Sequence, residues 1–324
     1  MSAISSIQTT ALNPAGHKTV AATLSPAEQK LFCIMLAPIF VGFVIAAFRH
    51  QAVDWPDFWL VIAFSLEMIF VGVVIRRTRH LARTATGMIA FGLIVCFMAC
   101  GGILTFTILP FSNPMVDQYL LLADAAIGFS WVESVNHLAD YPAFAGALRY
   151  IYFSLFPQIA FVIILLSFLK REVDLHRFLM VGFLSMIATD CIWYLFPSVG
   201  PAAYDMVTQE VQQKVQLVAN AEYGEKMWRY ATQGNLLITG SKMAAVVAFP
   251  SMHIVMTAMV LWFTRRTWMF YPLLVLNFLM PVATVLQGGH HIMDLLGGFL
   301  VFFFCVKLAN LLIPKQDHAP AAPH

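Results

Sequence analysis

Long apolar runs alternate with short polar connections along the whole chain. A run of about 20 apolar residues, coiled as a helix, matches the thickness of a bilayer's hydrocarbon core. Such runs fall at 30–48, 58–76, 87–110, 148–169, 178–196, 246–264, 268–286 and 293–313. The pattern predicts an all-α polytopic transmembrane bundle with these eight spans. Two connections, 111–147 and 197–245, are long, and loops of that length are usually functional or helical themselves. Within them 115–140, 206–218 and 222–230 are expected as short interfacial helices on one membrane surface. The chain then divides into a tail at 1–28, three N-terminal spans in 29–111, a membrane core at 112–314 and a tail at 315–324.

Charge sets the orientation. Arg76, Arg77, Arg79 and Arg83 lie between the second and third runs. Lys170, Arg171 and Arg177 lie between the fourth and fifth, and Arg265 and Arg266 between the sixth and seventh. Short loops rich in Lys and Arg stay cytoplasmic, which puts both termini inside and 111–147, 197–245 and 287–292 outside. Composition agrees with a membrane setting: 60% of the 324 residues are hydrophobic and 11% charged, against roughly 25% charged in a soluble domain. A formal charge of +2 gives no reason to expect a nucleic-acid partner. The five cysteines lie in apolar runs without a Cys-x-x-Cys pair, so neither a metal site nor a disulfide framework is indicated.

Two short motifs each open an apolar run on the outer face: Phe249-Pro250-Ser251-Met252-His253 and Gly288-Gly289-His290-His291-Ile292-Met293-Asp294. Bare imidazoles and a carboxylate beside transmembrane helices are costly and usually functional. Both runs enter from outside and present helix starts there, where free amides and the dipole favour an anion. His290 and Asp294 are four apart and share a face on a continuous helix, so Asp294 can orient the imidazole for attack. His253 can protonate a leaving oxygen. His291, three from Asp294, competes with His290 for that partner. Such a set is complete without a metal or other cofactor. Two further carboxyls fall inside runs. Asp190, shortly before Pro197, is placed to help order the outer site, and Glu67 is expected to be a neutralised or hydrogen-bonded structural group.

These residues resemble the type-2 phosphatidic acid phosphatase superfamily, in particular its branch related to inositol phosphorylceramide synthases. The resemblance rests on 249–253, on 288–294 with Leu295-Leu296-Gly297-Gly298 behind, and on Phe196-Pro197-Ser198-Val199-Gly200-Pro201. It also takes in Asp124-Ala125-Ala126-Ile127-Gly128-Phe129-Ser130-Trp131 and Tyr152-Phe153-Ser154-Leu155-Phe156-Pro157-Gln158, and covers 115–310. It implies a phosphohistidine on His290, with Asp294 orienting it and His253 as general acid. Ser251, Gly288, Gly289, His291, Pro197 and Gly200 would contact substrate. Four features depart from the superfamily pattern. Thr284 stands where it has an arginine, 196–201 lacks its cations, Met252 replaces a glycine, and His291 replaces the usual aromatic. Lys242, Arg229, Lys226 and Arg149 are the outer-face candidates for the missing charge, with Lys242 nearest the Ser251 motif in sequence.

The implied activity is cleavage of a lipid phosphoester or diphosphate at the outer face, with water or an alcohol as acceptor. A bacterial inner membrane with the site facing the periplasm is the expected setting. Headgroup transfer to a lipid acceptor would use the same residues. A lipid transporter with histidine proton relays, or an inactive binding homologue, are the alternatives of a different kind. Relay residues belong near the bilayer midplane, whereas these belong at helix mouths.

Overall fold

Proline and charge punctuate the apolar runs, and the helices follow that punctuation. The computed structural model describes residues 23–204, 206–234, 237–239 and 247–314. The tails expected at 1–28 and 315–324 lie mostly or wholly outside the described residues, and so does Lys242. Five helices are long and apolar enough to cross a membrane. They are α1 (Pro26–Phe48), α2 (Trp55–Ile75), α3 (Ala82–Thr107), α8 (Glu172–Leu195) and α14 (Ile292–Leu312), matching the first, second, third, fifth and eighth expected spans. The protein is a multi-pass, all-α integral membrane protein.

The other three expected spans are interrupted. The fourth is a pair, α6 (Pro142–Phe153) and α7 (Leu155–Phe168), bent by 44°. Pro157 has no amide to donate to the Phe153 carbonyl, so the helical ladder breaks there. The seventh is likewise α12 (Phe270–Asn277) followed by α13 (Met280–Leu286). Pro281 cannot donate to Asn277, which is where α12 ends. The sixth, α11, covers only Met252–Thr264. Its 13 residues reach about 20 Å, short of a hydrocarbon core of about 30 Å. Between these lie the shorter helices α4 (Asp117–Ala126), α5 (Trp131–Leu138), α9 (Gln209–Val215) and α10 (Ala221–Gln233). They occupy the segments expected to be interfacial.

Helix α3 is largely buried and packs against α1, α2, α7 and α8, with Phe97 stacked on Phe183 of α8 at 4.0 Å between ring centroids. At one end of the bundle the starts of α1 and α8 meet the ends of α2 and α14. Ser25 and Glu28 form a reciprocal cap on α1. Both carboxylate oxygens of Glu28 take the Arg76 guanidinium, with His176 at 3.6 Å. Arg177 donates to the Ile313 carbonyl at 2.7 Å and Lys30 to that of Leu312 at 2.8 Å. The two histidine motifs open helices at the opposite end, where Ala52–Val53 and Leu237–Ile238 pair as a short parallel ladder.

Of the two intramembrane carboxyls, Asp190 differs from what its sequence position suggests. Asp190 accepts from Thr105 Oγ1 at 3.0 and 3.1 Å, so it ties α8 to α3 instead of ordering the site. Glu67 faces outward from α2 and has no hydrogen-bond or ion-pair partner among the described residues. The inward face of α2 is formed by Phe58, Ser65, Ile69 and Gly72, about half a helical turn away from Glu67.

Candidate active site

The two motifs meet because α11 and α14 begin side by side. Ser251, the N-cap of α11, donates its amide to the Asp294 carbonyl at 3.0 Å. A Cβ on Gly298 would stand 2.6 Å from the Ser251 carbonyl oxygen, so a side chain there would force the helices apart. Close approach brings Ser251, His253, His290 and Asp294 into one buried cluster.

Asp294 Oδ2 lies 3.0 Å from His290 Nδ1 and accepts the His291 amide at 2.9 Å. The helix starts only at Ile292, with His291 as its N-cap. The His290–Asp294 pair is therefore not built along a continuous helix, as their spacing suggested. Asp294, third in the helix, reaches back over the cap, a position where free amides and the dipole favour a carboxylate. With Nδ1 engaged, Nε2 is the nitrogen left for chemistry. The His253 ring stands 6.0 Å from that of His290, at 67°. Its other contact is Tyr152, stacked at 4.2 Å and 19°. Ser251 Oγ, although on an N-cap residue, caps nothing and is buried without a hydrogen-bond partner among the described residues.

His291 turns to a different set of carboxylates. Its Nδ1 lies 2.9 Å from Asp124 Oδ2, and Asp124 Oδ1 accepts the Ile292 amide at 3.1 Å. Its Nε2 lies 3.7 Å from Asp117 Oδ1. Burial opposes a charge on this imidazole, yet Asp117, Asp294 and Asp124 outweigh burial and push its pKa above the ordinary value. Asp117 also accepts from Ser198 Oγ at 2.8 Å and from the amides of Val199 and Gly200 at 3.0 and 2.8 Å. Thus α4 clamps the Pro197–Gly200 segment to the start of α14, and the Pro197 carbonyl takes the Val116 amide at 2.8 Å.

Backbone contact completes the clamp. Gly200 has φ +81°, and a Cβ there would lie 2.4 Å from the Gly289 carbonyl oxygen. Only glycine meets both demands. Gly288 lies against Tyr152 and the Thr284 carbonyl. Gln287, fully buried, donates to the carbonyls of Ala145 and Val215 at 3.1 Å and accepts the Val218 amide at 3.2 Å. Its own carbonyl takes the Ala219 amide at 2.9 Å. The Gly-Gly turn is therefore braced by α6 and by the chain following α9.

Among the described residues no lysine or arginine makes an ion pair with this cluster. Arg149 donates to the Gln216 carbonyl at 3.3 Å and lies over the Phe153 ring. Lys226 lies over Tyr230 and Arg229 is exposed. Thr284, in the place of the superfamily arginine, has its hydroxyl buried without a partner among the described residues. Residues 216–218 also border a groove of about 810 Å³. It is lined by Arg149, Phe153, Asn220, Glu222 and four glutamines of 209–216.

Asp117 and Gln287 are residues of the cluster's surroundings that the motifs do not include, and Tyr152 lies in a quoted motif without having been given a role. Asp117 and Asp124 are seven apart, hence on one face of a helix, and that spacing was the available signal. The family model described as PAP2 superfamily matches residues 118–308. No curated protein and no solved structure matches the chain.

Proposed function

The chain belongs to the PAP2 superfamily, whose members are generally phosphatases or phosphotransferases, and from that premise we propose that it cleaves a lipid phosphoester or diphosphate through a phosphohistidine. The observation that carries this reading is the 3.0 Å contact of His290 Nδ1 with Asp294, on the flank of the His253 ring. His290 Nε2 attacks phosphorus, a P–N bond forms and the bond to the leaving oxygen breaks. His253 gives that oxygen its proton. Water or an alcohol then loses a proton to His253 and attacks phosphorus, the P–N bond breaks, and His290 is regenerated.

Ser251 Oγ is free to hydrogen-bond a phosphate oxygen, and so are the helix-start amides beside it. Asp124, His291 and Asp117 act at one remove, by fixing the turn that carries His290. The basic connections at the opposite end favour a cytoplasmic location for that end. The site then faces outward, into the periplasm if the host membrane is a bacterial inner membrane. The nucleophile is the imidazole itself, so turnover is expected to persist in chelator.

Transfer of the headgroup to an alcohol is the second reading, and the amide-rich groove favours it. Glutamine and asparagine side chains both donate and accept, which suits a polyhydroxylated acceptor. The test is purified protein in proteoliposomes, given a panel of lipid phosphates with and without added alcohols. Release of phosphate in chelator, with label trapped on His290, supports the hydrolytic reading. Product esters formed at the expense of free phosphate support transfer. Dependence on a divalent ion, or label absent from His290, would overturn the covalent route.

A further inference from the structure

The catalytic core leaves α1–α3 without a role, because the family match begins at residue 118. One residue there is out of place physically. Glu67 is 12 residues from the start of α2 and eight from its end, about 18 Å and 12 Å along the axis. The other charged residues of the long helices either have a partner or lie near a helix end. Glu28 and Arg76 pair, Asp190 bonds Thr105, and Asp294 holds His290. Lys307 is exposed but only five residues from the end of α14, close enough for its stem to carry the charge to the surface. Glu67 alone among the described residues is both deep and outward-facing. A carboxyl so placed is costly, and such residues almost always face a bundle interior or a partner group.

The residues around it form a seam. Leu60, Ala63, Glu67, Phe70 and Val74 are all exposed and recur at intervals of three and four, the period at which two helices pack along their length. One polar residue in the middle of such a seam is the device that fixes register and copy number in paired helices. The seam is also self-complementary. Two copies inserted the same way place their α2 helices parallel and set Glu67 opposite Glu67. A carboxyl group carrying its proton both donates and accepts, so the pair can satisfy itself without a cation. That is the requirement of a two-fold interface, in which one patch meets its own copy.

We infer that α2 is the dimerisation helix of this protein, with Glu67 hydrogen-bonding to Glu67 of a second copy in the membrane interior. The test uses the full chain in native membranes, with the exposed Cys33 and Cys191 changed to serine. Single changes Ala63→Cys and Phe70→Cys, on the seam, are expected to give an oxidative cross-link at twice the chain mass. Leu66→Cys, exposed but off the seam, is expected to give none. Adding Glu67→Leu should lower the cross-linked fraction roughly threefold to tenfold, the scale of an interhelical hydrogen bond in a membrane, while Glu67→Gln should largely keep it. Retained lipid phosphate turnover in both variants shows that the chain is folded. A monomer at both seam positions, a product of another mass, or a Glu67→Leu chain as dimeric as the parent would each overturn the inference.

Discussion

The two ends of the bundle hold their buried charges in contrasting ways. At one end Glu28 is gripped by Arg76, with His176 at 3.6 Å, while Arg177 and Lys30 meet carbonyls. At the other, Asp117, Asp124 and Asp294 face two histidines, with no lysine or arginine in the cluster among the described residues. A buried charge is tolerated when paired and hydrogen-bonded. The first end meets that condition with the permanent charge of a guanidinium, although Arg171 Nη1 and His176 Nε2 are buried there without a hydrogen-bond partner among the described residues. The second meets it with imidazoles, backbone amides and the Ser198 hydroxyl, and among the described residues it leaves Ser251 Oγ and Thr284 Oγ1 without partners. The balanced end is a fastening, and the unbalanced end is where an anion with its own oxygen atoms has something to bind.

The largest effect should come from His290→Ala, which removes the attacking nitrogen. Turnover is expected to fall by several orders of magnitude, while binding of a non-hydrolysable lipid phosphate survives. A variant with more than a tenth of the parent activity would place the chemistry elsewhere. Next come His253→Ala and Asp294→Asn. General acid catalysis contributes roughly 10²–10⁴-fold, and losing the acid hurts poor leaving groups most. An activated aryl phosphate should therefore rescue His253→Ala in part but not Asp294→Asn, whose nucleophile is misaligned for every substrate. Equal losses on both substrates would contradict these roles.

Arg76→Ala should give the reverse pattern. Stranding a buried carboxylate typically costs roughly 3–5 kcal/mol, and Glu28 is almost fully buried. Thermal unfolding in detergent should shift markedly downward, while activity per folded molecule changes little. If Arg76→Ala instead lowered activity at full stability, the two ends would not be separable as fastening and site.

How far the sequence carries this contrast depends on distance along the chain. The candidate cluster was legible because each motif is contiguous and polar groups stand out against apolar runs. Its geometry was less so: the His290–Asp294 pair forms over an N-cap, not along a helix. Asp117 and Asp124 act on His291 from 167 residues away in the case of Asp124, and no local pattern encodes such a contact. The long helices were legible from hydropathy. The breaks at Pro157 and Pro281 were also written in the sequence, but an apolar average conceals them. The outward direction of Glu67 depends on how α2 rotates against α3, which composition does not fix.

A smaller effect separates the two histidines of the second motif. His291 has its pKa raised by carboxylates despite burial. Its contribution to stability is therefore complete below the ordinary imidazole value of about 6.5 and is lost as the pH rises through the higher folded value. Unfolding measured upward from about pH 6 should show the parent losing stability relative to His291→Gln. An unchanged difference between the two across that range would mean that the imidazole stays neutral between Asp117 and Asp124.

The smallest effect tests whether the groove beside the site holds an acceptor. Gln212 is committed to the fold, since its side chain bonds Ala221 and Val207, so changing it would confuse binding with folding. Gln213 lines the same groove and is exposed. One hydrogen bond of this kind contributes about 0.5–1.5 kcal/mol, which corresponds to roughly twofold to tenfold in an apparent constant. Gln213→Ala is therefore expected to raise KM for an alcohol acceptor by that factor and to leave hydrolysis of the same lipid phosphate unchanged. Hydrolysis ends on water, which needs no groove, so only the transfer branch should respond. Loss of both branches together would mean that the groove supports the 217–219 wall and Gln287 instead of binding an acceptor.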